Sequence, residues 1–269
     1  MSETDKVFSG SIATLYDSHM VPLLFAPYAA DMAARISAYS PTAVLEIAAG
    51  TGAVTAELLR HLPRETGITA TDLNQAMLDV AAEKLKDPRV TSQACDAQQL
   101  PFETESFDAV ICQFGVMFFP DKPKAYTEAR RVLRKGGVYA LNVWDRIETS
   151  PFFHVVHDAV AAQFPDDPPG FFRRTPYGYH DEEAITAALR AAGFKVVTSE
   201  RVGFQSRAES AERVAIALCQ GTPLRSEIEK RAPQGLADVT ARAADALRKA
   251  FGPGPVETTM QAIVFEASA

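Results

Sequence analysis

The chain has 269 residues, enough for one large domain, and 47% of them are hydrophobic, enough for a substantial core. A formal net charge of −7 excludes a general affinity for nucleic acid or anionic membrane surfaces. Three cysteines, Cys95, Cys112 and Cys219, lack metal-site spacing and are too few for a disulfide framework, so they are expected to be reduced thiols in a cytoplasmic protein.

Ser9 to Ser18 is expected to form a short helix stopped near Pro22, and apolar spacing predicts a helix over Tyr28–Ala38, ended by Pro41. Ala43–Ile47 reads as the first strand and Gly52–Leu62 as the first crossover helix. Ile68–Thr71 is a second strand ending at Asp72, and Asn74 is the expected N-cap of a helix reaching Lys86. Val90–Ala94 is a third strand, with Asp96 just beyond it. Phe107–Cys112 is a fourth, apolar on both faces and therefore central. A helix over Lys122–Arg134, capped by Gly136-Gly137, leads into a fifth strand at Val138–Val143. Beyond Asp145 the pattern changes. Pro151–Phe164 reads as a helix, Pro165–His180 as an aromatic-rich loop, Asp181–Ala192 as a helix and Phe194–Val202 as a strand. Glu209–Phe251 is helical in pieces, broken at Gly221-Thr222-Pro223 and near Pro233, and Thr258–Phe265 is the last strand. The acidic opening Met1–Asp5 does not resemble a secretory signal, and no run is long and apolar enough to span a bilayer.

Strands alternating with helices at this pace predict βαβ units and a mainly parallel sheet. The segment Val44–Gly52 carries the most information. An apolar run ends in Glu46, a Gly50-Thr51-Gly52 turn follows, and a helix begins at Ala53. Strand, glycine turn and helix let a backbone approach a nucleotide-like ligand. Glu46, Asp72 and Asp96 stand near the C-terminal ends of successive strands, the edge where open α/β sheets bind ligands. Asp72 follows Gly52 by a spacing that suits a carboxylate on ribose hydroxyls. An NAD fingerprint would place a third small residue where Thr55 stands, and a pyrophosphate gains nothing from Glu46. S-adenosylmethionine (SAM), a sulfonium without phosphate, suits an acidic approach.

These segments resemble the class I SAM-dependent methyltransferases of the small-molecule type that includes the ubiquinone/menaquinone C-methyltransferases. The resemblance runs from about Phe8 to Asp145. It rests on Glu46-Ile47-Ala48-Ala49-Gly50-Thr51-Gly52, Asp72-Leu73-Asn74-Gln75-Ala76-Met77-Leu78, Cys95-Asp96 through Phe102, Phe107 through Gln113, and Glu128 through Gly137. It implies a Rossmann-like, doubly wound, mostly parallel seven-stranded sheet with the last strand antiparallel and helical cap insertions. Residues 1–40 would be covering helices, 41–145 the SAM-binding core, 146–181 and 205–256 the substrate cap, and 257–269 the last strand.

The resemblance implies roles as well. Ala48, Gly50 and Gly52 would hold the methionine part of SAM with Glu46 nearby, and Asp72 the ribose. Leu73 and Met77 would pack near the adenine, whose amine Asp96 would accept and whose ring the Ala97 N–H would meet. Gln113 and Phe114 would face the methyl-transfer centre, and Tyr16 would cover the cofactor. Ala48 departs from the family's first glycine and is expected to narrow the turn slightly.

Methyl transfer from a sulfonium mainly requires alignment, so no universal catalytic residue is implied. A base helps where the acceptor is a hydroxyl or acidic carbon, and His154, His157, His180 and Tyr16 are the candidates, with His19 a further histidine. His154 and His157 lie three apart on one helix face, a spacing open to a metal or a base, but no third ligand is in view and no metal is expected. His61 suits a helix C-terminus. Phe171–Tyr179 reads as a lid whose aromatics enclose a flat substrate and whose Arg173 and Arg174 meet its charge. Arg130, Arg131, Arg134 and Lys135 read as a solvated face. The run Gly115–Pro120 suggests a greasy acceptor pocket.

The expected activity is methyl transfer from SAM to a small aromatic or apolar molecule. The expected partner is that small-molecule acceptor, with no nucleic acid and no membrane span, and the chain would act as a monomer or homodimer. The alternatives are a non-catalytic SAM-binding protein and an NAD-linked oxidoreductase.

Overall fold

A computed structural model describes residues 11–269. Helix α1 (Ser11–Leu15) runs into a wide, π-type helix over Tyr16–Phe25 and then into α2 (Ala26–Ser37). The βα units follow as β1 (Ala43–Ile47), α3 (Ala53–His61), β2 (Gly67–Asp72), α4 (Gln75–Lys84), β3 (Val90–Ala94), β4 (Phe107–Gln113), α5 (Lys122–Val132) and β5 (Leu133–Trp144). Then come α6 (Pro151–Ala161), the short α7 (Phe171–Arg174), α8 (Glu182–Ala191), β6 (Val196–Ala208), α9 (Ala211–Gln220), α10 (Leu224–Arg231), α11 (Leu236–Phe251) and β7 (Val256–Ser268).

The seven strands form one sheet in the order β3-β2-β1-β4-β5-β7-β6. β1 to β5 are parallel, and β7 runs antiparallel to both β5 and β6. This is the Rossmann-like, doubly wound sheet with an antiparallel last strand that the sequence leads one to expect. The order reverses direction between β1 and β4, which opens a crevice at their C-terminal ends.

Strand parity divides the core. Val44, Ala109, Ile111, Val138 and Ala140 face Met32 and Ile36 of α2 and Val54 and Leu58 of α3. Leu45, Ile47, Val110, Cys112, Tyr139, Leu141 and Val143 face the opposite side, with Tyr126, Trp144 and helices α6, α9, α10 and α11. Successive side chains alternate faces because a strand's side-chain period is two. Both faces are covered, which is why the central strands are apolar throughout. The buried Tyr28 hydroxyl donates to the Met260 carbonyl at 2.5 Å, and Ser206 donates to the Leu23 carbonyl at 2.6 Å, tying the N-terminal helices to the β6–β7 ribbon.

Three local expectations are corrected. Pro22 does not stop the first helix; it sits inside the π-type segment. A proline in a regular α-helix collides with the carbonyl one turn back, and a wider turn relieves that collision. Of the expected Ser9–Ser18 helix, Ser9 and Gly10 lie outside the described residues, as does Phe8, where the resemblance begins. Gly136-Gly137 does not cap α5, because Leu133 is already extended and pairs with Phe107. The glycines lie in an irregularity of β5, where pairing shifts between Phe107 and Ala109. Asn74 precedes α4, but its side chain donates to Asp72 and makes no cap bond.

Candidate functional site

A cleft opens at the C-terminal ends of β1 to β4. Tyr16, Ala48, Gly50, Asp72, Leu73, Met77, Asp96, Ala97, Gln113 and Phe114 line it, ten of the residues singled out in the sequence. Ile47, Asn74, Cys95, Gln98 and the run Gly115, Phe118, Phe119 and Pro120 complete the wall. Ile47, Cys95 and Gln98 flank motif residues at strand ends, and that adjacency was the signal available for them. Glu46 and Gly52, by contrast, do not line the cleft.

Glu46 shares parity with Val44, so its side chain turns toward α3 and not into the cleft. There it accepts a hydrogen bond from the Thr55 hydroxyl at 2.5 Å, with both residues buried. Thr55 thus holds the strand-end carboxylate against the first turn of α3. Burial, with Asp72 close by, pushes the Glu46 carboxyl up to about 8, and the Thr55 bond only partly opposes this.

Asp72 locks the glycine turn. One carboxylate oxygen accepts the Gly50 N–H at 2.9 Å and the other accepts the Asn74 N–H at 2.8 Å. Burial raises its pKa despite those bonds. Gly50 takes a left-handed φ of 57°, and a Cβ there would meet Met77 Cε at 3.5 Å and the Tyr16 ring at 3.9 Å. The turn is therefore a cradle between Tyr16 and Met77 that only a bare backbone leaves open. Asp96 is exposed at the far end and accepts the Gln98 N–H at 2.8 Å. Tyr16 stacks on Phe25 with centroids 5.2 Å apart, and burial beside Asp72 keeps its hydroxyl protonated. The neighbouring Asp17 is ion-paired with Lys84 of α4, which fastens the wide helix over the cleft.

The cleft is acidic, and no lysine, arginine or histidine is among its described lining residues. A pyrophosphate would enter without a cationic partner, whereas a sulfonium or ammonium would meet Asp72 with Glu46 behind it.

Tyr16, Phe114 and Phe118 also line a second, smaller cavity. Its other walls include Met20, Phe25, Trp144, Phe153, Phe171 and Phe172, with Pro176, Thr222 and Pro223. Phe114 and Trp144 stack at 3.9 Å with planes 13° apart. Their placement is local in origin: Phe114 follows β4 with a left-handed φ of 50°, and its N–H is held by the Asn142 side-chain oxygen at 2.9 Å. Trp144 ends the neighbouring β5.

The candidate bases do not meet at either cavity. His154 sits 3.3 Å from Asp158 on the surface of α6. His157 is half-buried, and burial with Arg173 nearby lowers its pKa. His180 is held by the Tyr177 carbonyl at 2.9 Å on a separate, polar face. Tyr16 alone of these candidates lines the cleft. Among the described residues no group of three or more His, Cys, Asp or Glu side chains is placed to hold a metal.

The expected lid is corrected only at its arginines, since Phe171, Phe172 and Pro176 wall the smaller cavity. Phe171, Phe172 and Tyr177 are buried core, while Arg173 pairs with Glu148 at 3.0 Å and Arg174 with Glu227 at 2.7 Å. Both guanidinium groups are therefore engaged in ion pairs within the chain. Nor is the α5 cluster merely solvated. Arg131 binds Glu128 and the carbonyls of Leu100 and Phe102, and Arg134 binds Asp108.

With this geometry in place, the relatives are informative. A family model described as a methyltransferase domain matches residues 44–137, which contain most of the cleft. Over those residues the chain is similar to methyltransferase domains. It is 30% identical over 169 residues to the ubiquinone/menaquinone biosynthesis C-methyltransferase UbiE of Rhizobium etli, covering 58% of this chain and 65% of that one. It is 39% identical over 98 residues to the UbiE of Idiomarina loihiensis, covering 35% and 39% of the two chains. The chain thus spans less than two thirds of the length of these relatives. In structure it is similar to phosphoethanolamine N-methyltransferase 2 of Haemonchus contortus in complex with S-adenosyl-L-methionine. That match has a TM-score of 0.62 at 17% identity and covers 100% of this chain and 60% of that one. At that identity the likeness concerns the fold. No helix among the described residues is long and apolar enough to cross a membrane.

Proposed function

We propose that this chain transfers the methyl group of SAM to a small, uncharged aromatic or apolar molecule. One observation carries the reading: an acidic cleft with no cationic residue among its described lining residues shares Tyr16, Phe114 and Phe118 with an aromatic chamber. When bound, SAM supplies an activated methyl group on a sulfonium sulfur.

The chain's own residues have the remaining tasks. The Ala48–Gly52 turn would hold the methionine part, with Glu46 contributing charge from behind. Asp72 would accept from the ribose, Leu73 and Met77 would pack on the adenine, and Asp96 with the Ala97 N–H would meet its edge. Gln113 and Phe114 would face the acceptor. Tyr16, Phe118 and the aromatic walls would exclude water and fix the approach, and such positioning supplies on the order of 7–11 kcal/mol in favourable cases.

We further assign residues 146–181 and 205–256 to an acceptor-binding cap, with the described part of residues 1–40 as cover. The same reading makes the chain a cytoplasmic monomer or homodimer, in keeping with three cysteines that are free thiols.

Isothermal titration with SAM, S-adenosylhomocysteine and NADH tests the cofactor. The expected result is micromolar binding of both sulfur ligands and no heat from NADH. Silence from both sulfur ligands on folded protein would sink the reading. Retention of SAM without transfer of labelled methyl to any member of an aromatic panel would favour a non-catalytic binding protein.

A further inference from the structure

We propose that Gln113 selects the methyl acceptor: its side-chain carbonyl accepts a hydrogen bond from an O–H or N–H at the edge of a flat, uncharged aromatic molecule seated in the chamber. This rests on the reading of the adjoining cleft as the SAM site.

Gln113 is the last residue of β4 and lines the cleft. Its Nε2 donates to the carbonyl of Phe25 at 3.4 Å, and that contact fixes which end of the amide is which. The other end, Oε1, is buried and has no hydrogen-bond partner among the described residues. A buried amide oxygen without a donor is costly, and such groups in native proteins call for an explanation. The explanation lies in its position. Phe25, which Gln113 touches, lines the chamber, and Phe114, the next residue, lines both chamber and cleft. Gln113 therefore stands in the cleft wall beside the chamber, next to where a bound acceptor would meet the methyl donor.

The chamber sets what that acceptor is. Phe114 stacks on Trp144 and Tyr16 on Phe25, two flat walls that suit a slab-shaped molecule. No charged or histidine side chain is among its described lining residues, so a carboxylate, phosphate or ammonium on the ring would be buried unpaired. Thr222, on the cap side, is already committed: its hydroxyl donates to the Leu218 carbonyl at 2.7 Å and accepts the Leu224 N–H at 3.2 Å. With Nε2 held by Phe25, Gln113 offers the ligand a lone pair only. A ring bearing a hydroxyl or amine satisfies it, and the corresponding ether sets lone pair against lone pair.

The test is equilibrium dialysis of the full chain against 1-naphthol, 1-methoxynaphthalene and naphthalene, with and without S-adenosylhomocysteine. The wild-type chain should retain 1-naphthol about tenfold more tightly than either donorless probe, as expected of a site built around a hydrogen bond. Naphthalene is the smaller molecule, so exclusion by size does not account for that order. Gln113→Met keeps the bulk and removes the acceptor, and should bring the three probes within about twofold of one another. Gln113→Glu keeps an acceptor oxygen and should keep the preference. Equal retention of the three probes by wild type overturns the proposal, as does a preference that survives in folded Gln113→Met. A fall in S-adenosylhomocysteine affinity in Gln113→Met, with the naphthol preference intact, also overturns it by assigning Gln113 to the cofactor. Failure of the SAM reading shows separately, as absent S-adenosylhomocysteine heat on wild type, while the dialysis without that ligand still scores Gln113.

Discussion

The methyl group of Ala48 occupies the space that a side chain on Gly115 would need. A Cβ built on Gly115 would stand 2.5 Å from Ala48 Cβ and 2.8 Å from Cys112 Sγ. Ala48 itself holds a left-handed φ of 55°, a conformation that costs an L-residue about 1–2 kcal/mol. The departure from the expected first glycine has a structural consequence. It introduces a strained alanine whose methyl is accommodated by a glycine after β4.

This pairing predicts a coupled response. Ala48→Gly should stabilise the chain by about 1 kcal/mol, since it removes left-handed strain at the cost of a freer unfolded chain. Gly115→Ala should destabilise it by about 1–3 kcal/mol through overpacking. The double variant should recover part of that loss, because Cys112 still obstructs the new methyl. Urea denaturation of the four proteins gives the coupling. Additivity within about 0.5 kcal/mol would show that the two residues do not share space.

Glu46 predicts a pH dependence. Its carboxyl is raised from 4.5 to about 8 in the folded chain, mainly by burial. Between those values the folded chain binds a proton that the unfolded chain has released. Stability contributed by this group is full below pH 4.5 and declines as pH rises to about 8. Glu46→Gln should therefore flatten the fall in urea midpoint between pH 5 and 8. An unchanged slope in the variant would show that Glu46 titrates near its ordinary value.

A cation bound above the same pair favours the ionised carboxylates. SAM affinity should accordingly rise from pH 6 toward pH 8, with a proton released on binding. Titrations in two buffers of different ionisation enthalpy would measure that release, and equal apparent enthalpies would argue against it.

Asp72→Ala removes the acceptor for the Gly50 and Asn74 N–H groups together with the proposed ribose contact. SAM binding should weaken by roughly 2–3 kcal/mol, the scale expected when buried polar groups lose a charged partner. Calorimetry on a variant with an intact circular dichroism spectrum checks this. An unchanged dissociation constant would refute the ribose assignment.

The surface histidines predict near-silence. Neither His154 nor His157 lines the cleft or the chamber, so the double variant His154→Ala/His157→Ala should retain turnover within about threefold of wild type, since a true general base contributes far more. A loss of a hundredfold or more would return one of them to the chemistry.

Much of the site was legible because its signals are local. The strand-end carboxylates, the glycine turn and the alternation of strand and helix depend on spacing within a few residues, and they placed Asp72, Asp96 and Gly50 on one cleft. The direction of the Glu46 side chain was not legible, because it follows from strand parity and from Thr55, a partner across the sheet–helix interface. The arginines misled for a related reason. An Arg173 or Arg174 in a loop gives no hint that Glu148 or Glu227, far away in sequence, already holds it. Pro22 obeys its usual rule against α-helix, but a wide turn packed by Met20, Leu23, Leu24 and Phe25 relaxes that rule. The aromatic chamber draws on residues from Tyr16 to Pro223, and only its Phe118 and Phe171–Pro176 walls had a local signature, in the apolar run after β4 and the aromatic loop.

The position of β7 bears on how this protein is made. β6 pairs with β7, and β7 in turn is what joins it to β5. While the ribosome is still short of Val256, the five parallel strands can assemble around α2 to α5, but β6 has no neighbour in the sheet. The Tyr28 hydroxyl likewise waits for the Met260 carbonyl. Closure of the sheet thus waits on β7, and until β7 docks the β5 edge stands bare, open to pairing with a wrong strand.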